Sequence, residues 1–263
     1  MAPKRSPRPS AATSWEPVAD WYIGWVGEAG SEHHRQLAIP AVLDLLAPAA
    51  SEHILDIGAG PGVLAPLIAR AGARYTGVDV SPRLLAFARR RHSAHGRFLQ
   101  ADATRLDTVP ELRANTFDGV VFMLSIQDID PLDAALRSAA WALRPGGRAV
   151  LLMTHPCFRV PRQSGWGWDE GRRLCYRRID RYLTPLAAPM KTYSGRHGAT
   201  RSFHRPLEVY VNSLAAHGLL IEHMREIPTY KDRPKGPRAS AEHIANREIP
   251  LFLGLRARKG EKV

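Results

Sequence analysis

The chain has 263 residues, 44% of them hydrophobic, which is enough to bury a full core, and this length favours one domain with an insertion over two small domains. The formal net charge of +12 favours an acidic partner but carries no information about the fold. Cys157 and Cys175 lack the spacing of a disulfide or metal motif, so we expect no disulfide, no metal site and a reducing, cytoplasmic setting.

The N-terminal segment, residues 1–14, is charged and proline-rich and has no apolar stretch, which is typical of a flexible tail and not of a signal peptide. Residues 15–263 are then expected to form one domain. Within it, residues 15–50 predict a helical cap of one or two helices over the edge of a sheet. No apolar run in the chain reaches the roughly 18 residues of a membrane-spanning helix, so no membrane association is expected.

From residue 53 onward, strand patterns alternate with helix patterns. Strands are predicted at 53–57, 74–80, 97–102, 117–124 and 148–153, and helices at 63–72, 82–92 and 131–143. Ser81 and Pro82 have the residue types of an N-cap and a first helical position. Because helix-length segments separate the strands, the sequence predicts parallel pairing with right-handed crossovers, and therefore an α/β fold with an open sheet.

Residues 155–205 show no clear period and are interpreted as a lid over the substrate site, since structureless segments of this length are usually functional. The lid holds ten arginines and one lysine against three acids, a net +8 of the chain's +12. This charge indicates an anionic substrate or, as the plainer alternative, a solvated surface. The lid aromatics are expected to form an apolar pocket, or else the small core of the lid itself; they are Trp166, Trp168, Tyr176 and Tyr182.

After the lid, Pro206 begins a helix whose apolar stripe includes Leu207, Tyr210 and Leu214 and which ends at Gly218. Two last strands are predicted at 219–227 and 250–258. No long helix is required between them, so they are expected to pair antiparallel.

The segment HILDIGAGPGVL, residues 53–64, contains the first predicted strand and then three glycines at alternate positions. Glycines here allow positive φ and close approach of a ligand, and the first strand-to-helix turn of such a sheet is the usual ligand contact. A dinucleotide fingerprint would need a third glycine where this chain has Val63, and Asp56 would repel a pyrophosphate but accept a ligand ammonium group. The loop therefore disfavours a nicotinamide oxidoreductase.

Two further acids end the next strands. Asp79 lies about 20 residues beyond the loop, where nucleotide-binding sheets place a ribose-binding acid. Asp102 ends the third strand and is placed to accept a hydrogen bond from an adenine amino group. Each acid alone is equally well explained as a cap, but three acids at the ends of three successive strands indicate a nucleoside site.

Taken together, these motifs resemble those of class I S-adenosylmethionine-dependent methyltransferases. The matching segments are LDIGAGPG, GVDVSPRLLAFAR, LQADA, FDGVVFMLSIQDI and LRPGGRAVLL. The resemblance runs from His53 to Met153 and extends to the two terminal strands. It implies a Rossmann-like, seven-stranded mixed sheet with helices on both faces and its last strand antiparallel, S-adenosyl-L-methionine as cofactor, and methyl transfer to a small-molecule, anionic or aromatic acceptor.

The resemblance also implies roles for single residues. Gly58 and Gly60 would lie against the methionine part of the cofactor, Asp79 would bind the ribose hydroxyls, and Asp102 with Ala103 the adenine. The segment WYIGWVGEAGSEHHR is similar to the N-terminal cap of small-molecule members, with Tyr22 closing over the cofactor. The full set of expected cofactor contacts is Tyr22, Asp56, Gly58, Ala59, Gly60, Asp79, Val80, Asp102, Ala103 and Met123.

Catalysis in this reaction class requires mainly alignment for in-line displacement and exclusion of water, and a general base is optional. The candidate bases are His155, just past the fifth strand, then His204 at the end of the lid and Asp128 after the fourth strand. A structural hydrogen bond is the alternative role for each histidine.

Two other functions remain open from the sequence. Interleaved arginines and aromatics suit a nucleic-acid methyltransferase, but SIQD after the fourth strand lacks the N/D-P-P-Y/F motif of amino-group enzymes. The Pro-Cys pair follows the fifth strand and not the fourth, so Cys157 is interpreted as structural. A non-catalytic, cofactor-binding partner subunit is the alternative from another class, and the oligomeric state is left open.

Overall fold

The computed structural model describes residues 15–190, 200–230 and 236–260. The predicted flexible tail, residues 1–14, lies outside the described residues, as do lid residues 191–199. Eleven strands are formed in this part of the chain: β1 His53–Ile57, β2 Arg74–Asp79, β3 Arg97–Gln100, β4 Phe117–Met123, β5 Leu143–Thr154, β6 Ser164–Asp169, β7 Leu174–Ile179, β8 Leu186–Met190, β9 Thr200–His204, β10 Leu219–Ile227 and β11 Phe252–Lys259.

Seven of these strands form one sheet in the order β10-β11-β5-β4-β1-β2-β3. The first five strands pair parallel, whereas β11 runs antiparallel to both β5 and β10. The predicted mixed sheet with an antiparallel last strand is confirmed. The strand order reverses between β1 and β4, so the switch point of the sheet lies at the end of β1, where the glycine loop begins.

Seven α-helices accompany the sheet in the described residues: α1 Ala19–Val26, α2 Ile39–Leu46, α3 Ala65–Arg70, α4 Pro82–His92, α5 Leu132–Ala142, α6 Leu207–Ala216 and α7 Ala239–Glu248. The start of α4 is as predicted, because Ser81 Oγ accepts a hydrogen bond from the Leu84 N–H at 3.2 Å. No helix of the described residues combines the length and apolar character needed to cross a membrane.

Apolar side chains alternate between the two faces of the sheet, as the period of a strand requires. In β1, Leu55 and Ile57 belong to one core cluster and Ile54 to the other. The first cluster is covered by α5 and α6, and the second by α2, α3 and α4. Helices therefore cover both faces, as predicted, and β1 is buried on both sides beside the switch point.

The position of the N-terminal cap differs from the prediction. α2 packs on the face of the sheet against β4, β5 and β11 and not over an edge, while α1 packs on α4. The reason is the apolar side of α2, whose Val42, Leu45 and Leu46 are buried against the second cluster. An edge position would leave this side in water.

The lid is not the unstructured segment that the sequence predicts. It contains two antiparallel hairpins, β6–β7 and β8–β9. The strand alternation of β6 is difficult to recognise because a glycine precedes each of Trp166 and Trp168, and β7 carries arginines at adjacent positions.

The connection between the last two strands of the sheet is a second correction. The expectation that they join without a long helix is wrong, since the ten-residue α7 lies between them and packs on β7. Its buried residues are only Ala241 and Ala245, which give a weak apolar stripe.

Candidate functional site

The three loop glycines are required for different reasons. Gly58 has φ of +75°, and a Cβ there would lie 2.5 Å from Ser125 Cβ; Gly62 has φ of +79°, and a Cβ would lie 2.7 Å from Phe98 Cε1. Around Gly60, with φ of +53°, the nearest such contact is Tyr22 Cε1 at 3.7 Å. Gly58 and Gly62 therefore allow tight packing inside the protein, and Gly60 is the glycine that leaves room beneath Tyr22.

A pocket lies between this loop and the N-terminal cap. Its lining residues are Tyr22, Val26, His34, Asp56, Gly58, Ala59, Gly60, Pro61, Val63 and Met123. Six of the ten predicted cofactor contacts are among them. Val26 and His34 were not predicted, because they belong to the cap and reach the loop only through tertiary packing. Burial lowers the pKa of His34 to about 4, so this side chain is neutral near pH 7.

Asp56 is the acid of this pocket. It is 2% exposed, and Tyr75 donates a hydrogen bond to its Oδ2 at 2.7 Å. Among the described residues, Oδ1 has no hydrogen-bond partner. Burial raises the pKa of Asp56 to about 7, although the bond from Tyr75 acts in the opposite direction. Because the ionised carboxylate is poorly compensated, a cationic ligand group at Oδ1 would stabilise it.

Asp79 connects the glycine loop to β2. Its Oδ2 accepts a hydrogen bond from the Gly60 N–H at 2.9 Å, and its Oδ1 accepts one from the Ser81 N–H at 2.8 Å. Burial raises the pKa of Asp79, and these backbone donors oppose that rise. The structure therefore gives Asp79 a loop-bracing role, and its binding of ribose hydroxyls stays a prediction.

The residues predicted to bind adenine lie beside this pocket and not in its lining. Asp102 Oδ1 accepts hydrogen bonds from the Thr104 N–H and hydroxyl at 2.9 and 2.7 Å, and its other oxygen lies 3.7 Å from Arg105 Nε. Val80 is 44% exposed, which is high for its type, and Ala103 packs on the first core cluster. An exposed valine directly after β2 suits an apolar ligand surface.

Tyr22 connects the pocket to a second acidic group. Its ring lies 4.6 Å from that of Trp15, and the Trp15 indole N–H donates to Asp128 Oδ2 at 3.2 Å. Burial and the negative charges of Asp128, Asp79 and Asp56 raise the pKa of Tyr22 far above its ordinary value. The Tyr22 phenol therefore stays protonated between the acids.

Asp128 lies where the cap, the loop after β4 and β9 meet. It is 6% exposed, and Oδ1 lacks a hydrogen-bond partner within the described ranges. Burial raises its pKa to about 7, against hydrogen bonds from Ser202 and Trp15 and the charge of Arg205. A carboxyl with this pKa is suited to exchange a proton near neutral pH. Arg205 was not singled out from the sequence, since one arginine among ten carries no distinguishing signal.

The two candidate histidines are held by protein partners. His155 is 2% exposed; its Nδ1 accepts from the Cys157 N–H at 3.2 Å, so Nε2 carries the proton and donates to Glu226 Oε1 at 2.9 Å. Burial lowers the pKa of His155. His204 Nε2 bonds the Tyr182 carbonyl oxygen at 2.6 Å. These bonds support a structural role for both histidines, and their catalytic role stays a prediction.

The lid aromatics lie against charged groups more than against one another. The guanidinium carbons of Arg159 and Arg177 are 5.2 and 5.3 Å from the ring centre of Trp166, and that of Arg238 is 4.6 Å from Trp168. Cation–π contacts of this kind stabilise a hairpin surface. They offer a structural explanation for part of the arginine content of the lid.

Comparison with known proteins identifies related sequences and folds. A family model described as a methyltransferase domain matches residues 55–151. A demethylmenaquinone methyltransferase of Thermus thermophilus is 32% identical over 173 residues, covering 64% of this chain and 71% of that protein. A ubiquinone biosynthesis O-methyltransferase of Xanthomonas axonopodis pv. citri is 35% identical over 105 residues, covering 39% and 43%. The chain spans about half the length of further curated relatives that it matches.

The fold is also found among solved structures. An S-adenosylmethionine-dependent methyltransferase from Mesorhizobium loti superposes with a TM-score of 0.65 at 28% identity, covering 83% of this chain and 96% of that one. The match covers a larger share of the chain than the family model does.

Proposed function

Because this chain belongs to the class I S-adenosylmethionine-dependent methyltransferases, we propose that it transfers the methyl group of S-adenosylmethionine to a small-molecule acceptor. The acceptor class that we propose is a hydroxylated aromatic ring, such as a phenol or hydroquinone. The relatives named above are a demethylmenaquinone and a ubiquinone biosynthesis methyltransferase, and both names concern quinones.

The observation that supports the cofactor assignment best is the free Oδ1 of Asp56 in the pocket beneath Tyr22. The methionine part of the cofactor carries an ammonium group, which supplies the charge that this carboxylate lacks. Gly60 leaves space on the same side, since a Cβ there would touch only Tyr22. The residues present therefore fit this cofactor.

In this proposal, the chain mainly binds, orients and shields. When bound, S-adenosylmethionine supplies an electrophilic methyl group on a sulfonium. Asp56 would hold the ammonium group, Asp79 would keep the glycine loop in position, and Tyr22 with Trp15 would exclude water. Asp128 is the best placed of the three candidate bases, because one of its oxygens is free to accept a proton.

Calorimetry on the full chain tests the cofactor site. S-adenosylmethionine and S-adenosylhomocysteine should both bind, and Asp56→Asn should weaken both by about tenfold or more, as expected for loss of a buried charge-assisted hydrogen bond. The matched control is Asp107→Asn, which removes an exposed carboxylate that follows β3 in the chain. Equal affinities of wild type and Asp56→Asn would contradict the cofactor placement.

The acceptor class needs a separate assay. Wild-type protein with S-adenosylmethionine is incubated with phenols, hydroquinones and, as controls, purified RNA and aromatic amines, and methylated products are identified by mass spectrometry. Methylation of ring-hydroxylated compounds is expected. Methylation of RNA alone, or of none of these despite tight cofactor binding, would refute the proposal in favour of the nucleic-acid or non-catalytic alternative.

A further inference from the structure

Unsatisfied polar atoms are concentrated at one contact in this molecule. Four buried side-chain atoms without a hydrogen-bond partner among the described residues belong to β9, to the residue that follows it, or to the loop after β4, and this strand and loop pack together. They are Gln127 Oε1, Asp128 Oδ1, Thr200 Oγ1 and Arg205 Nη1. Buried polar groups are normally hydrogen-bonded, so four such atoms at one contact indicate a ligand that supplies the missing partners.

Arg205 provides a fixed donor at this contact. The residue is 7% exposed, and its Nη2 donates to the Ile129 carbonyl oxygen at 2.7 Å and to Asp130 Oδ1 at 3.0 Å. Its guanidinium carbon lies 5.1 Å from the ring centre of Phe203, and the guanidinium also makes a hydrogen bond with the Tyr210 side chain. These contacts hold the planar group in one orientation and leave Nη1 to donate to something else. A guanidinium stays charged at every relevant pH and can only donate, so that partner must be a hydrogen-bond acceptor.

Asp128 provides the complementary hydrogen-bond acceptor. Its carboxylate accepts hydrogen bonds from Trp15 and Ser202, Oδ1 has no partner within the described residues, and the charge of Arg205 is close enough to lower the pKa of Asp128. Through Trp15 and Tyr22, this acid is connected to the pocket of the glycine loop. Asp128 is therefore linked to this pocket by two aromatic side chains, and Arg205 lies within electrostatic range of Asp128.

We propose that Asp128 and Arg205 form a binding site for an acidic ring hydroxyl of the acceptor, a pair that we call the hydroxyl clamp; this rests on the proposed function. A hydroxyl group both donates and accepts, so it satisfies Asp128 Oδ1 and Arg205 Nη1 at once. A carboxylate or phosphate would bring only acceptors and would be repelled by Asp128.

The hydroxyl clamp can also take the proton from the hydroxyl group of the methyl acceptor. The O–H bond of the acceptor breaks, the proton moves to the Asp128 carboxylate, and the electron pair stays on the acceptor oxygen beside the Arg205 guanidinium. The positive charge stabilises the oxyanion, and the negative charge of Asp128 disappears in the same step. Net charge at the contact is therefore unchanged, which suits a buried site.

A chromophoric phenol tests the clamp directly. The probe is 4-nitrocatechol, whose phenolate absorbs visible light, added to the full chain saturated with S-adenosylhomocysteine. Absorbance titrations give its dissociation constant and the pKa of the bound phenol. In wild type, we expect binding with a phenol pKa below that of the free probe. Arg205→Met should weaken binding about tenfold and abolish the pKa shift, whereas Arg205→Lys should be intermediate.

Arg201→Met is the matched control, because Arg201 lies on β9, four residues before Arg205, with its side chain exposed. Its probe binding should equal that of wild type. Calorimetry with S-adenosylhomocysteine separates the two proposals. If wild type does not bind S-adenosylhomocysteine, the proposed function itself fails.

If wild type binds S-adenosylhomocysteine but Arg205→Met binds the probe as wild type does, the clamp is refuted and the four atoms are partners of internal water. Should Arg205→Met lose S-adenosylhomocysteine binding through misfolding, Arg205→Gln and Arg205→Lys decide the question. A loss of about threefold or more in probe affinity in both supports the clamp, and unchanged affinity in both overturns it.

Discussion

Replacing Asp128 with asparagine should stabilise the protein while removing its activity. Burial raises the pKa of this carboxyl from 3.8 to about 7, a change of about three units. At about 1.4 kcal/mol per unit, ionised Asp128 costs the folded state about 4 kcal/mol above pH 7. Asparagine carries no charge but must find an acceptor for its amide, which costs about 1–3 kcal/mol. The expected net gain is about 1–3 kcal/mol.

The sign of the pH dependence follows from the raised pKa. Below about pH 4, the carboxyl is protonated in both the folded and the unfolded state, so the substitution removes no burial penalty. Between about pH 4 and pH 7, only the unfolded state is ionised, and the penalty grows with pH until it levels off above about pH 7. The gain in free energy of unfolding from Asp128→Asn should therefore rise over this interval and then stay constant.

Urea denaturation of both proteins at several pH values measures this difference, with Asp107→Asn, at an exposed carboxylate, as the control that should show no such rise. Methyl transfer by Asp128→Asn should fall by about two orders of magnitude, as for loss of a general base. A variant that is no more stable at pH 8 than wild type would show that Asp128 is not under a burial penalty, and one that retains full turnover would remove it from the mechanism.

Further predictions concern the loop, the cofactor acid and the first candidate histidine. Gly58→Ala should destabilise the protein by about 2 kcal/mol or more in thermal melts, because its Cβ meets Ser125; Gly146→Ala, with φ of +72° and no atom nearby, isolates the backbone strain and should cost less. In calorimetry, the affinity for S-adenosylhomocysteine should increase as pH rises through about 7, where Asp56 ionises, and this slope should be absent in Asp56→Asn. His155→Ala should lower the melting temperature through loss of two buried hydrogen bonds but keep the pH profile of turnover; a lost limb of that profile would instead assign His155 as the base.

The features that could be predicted from the sequence are local ones. The run from His53 to Leu64 combines a buried strand with residues that only a tight, ligand-facing turn needs, and the acids at the ends of the next two strands follow the period of the same α/β pattern. Because parallel strands end at one edge of the sheet, the chain order already places Asp56 and Asp79 together. The structure adds the bond between Gly60 and Asp79 but does not change their location.

The features that could not be predicted depend on packing between distant segments. His34 reaches the pocket only because α2 lies on the sheet face, and nothing local to His34 indicates this. Arg205 differs from the other lid arginines only in being 7% exposed with a free Nη1, and both properties arise from β9 docking on the loop after β4. The helix α7 could not be predicted because its buried residues are alanines, whose low hydrophobicity gives only a weak helical period in the sequence.

The aromatic pair Trp15 and Tyr22 has a kinetic consequence. The Tyr22 ring lines the glycine-loop pocket, and the neighbouring Trp15 donates a hydrogen bond to Asp128. A movement of the two rings that opens the pocket to the nucleoside would therefore also break this hydrogen bond. The acceptor half of the cleft is then complete only after the first ligand has entered and the pair has swung back. Under the proposed function, this arrangement predicts a compulsory order of addition, with the methyl donor binding first and its demethylated product leaving last.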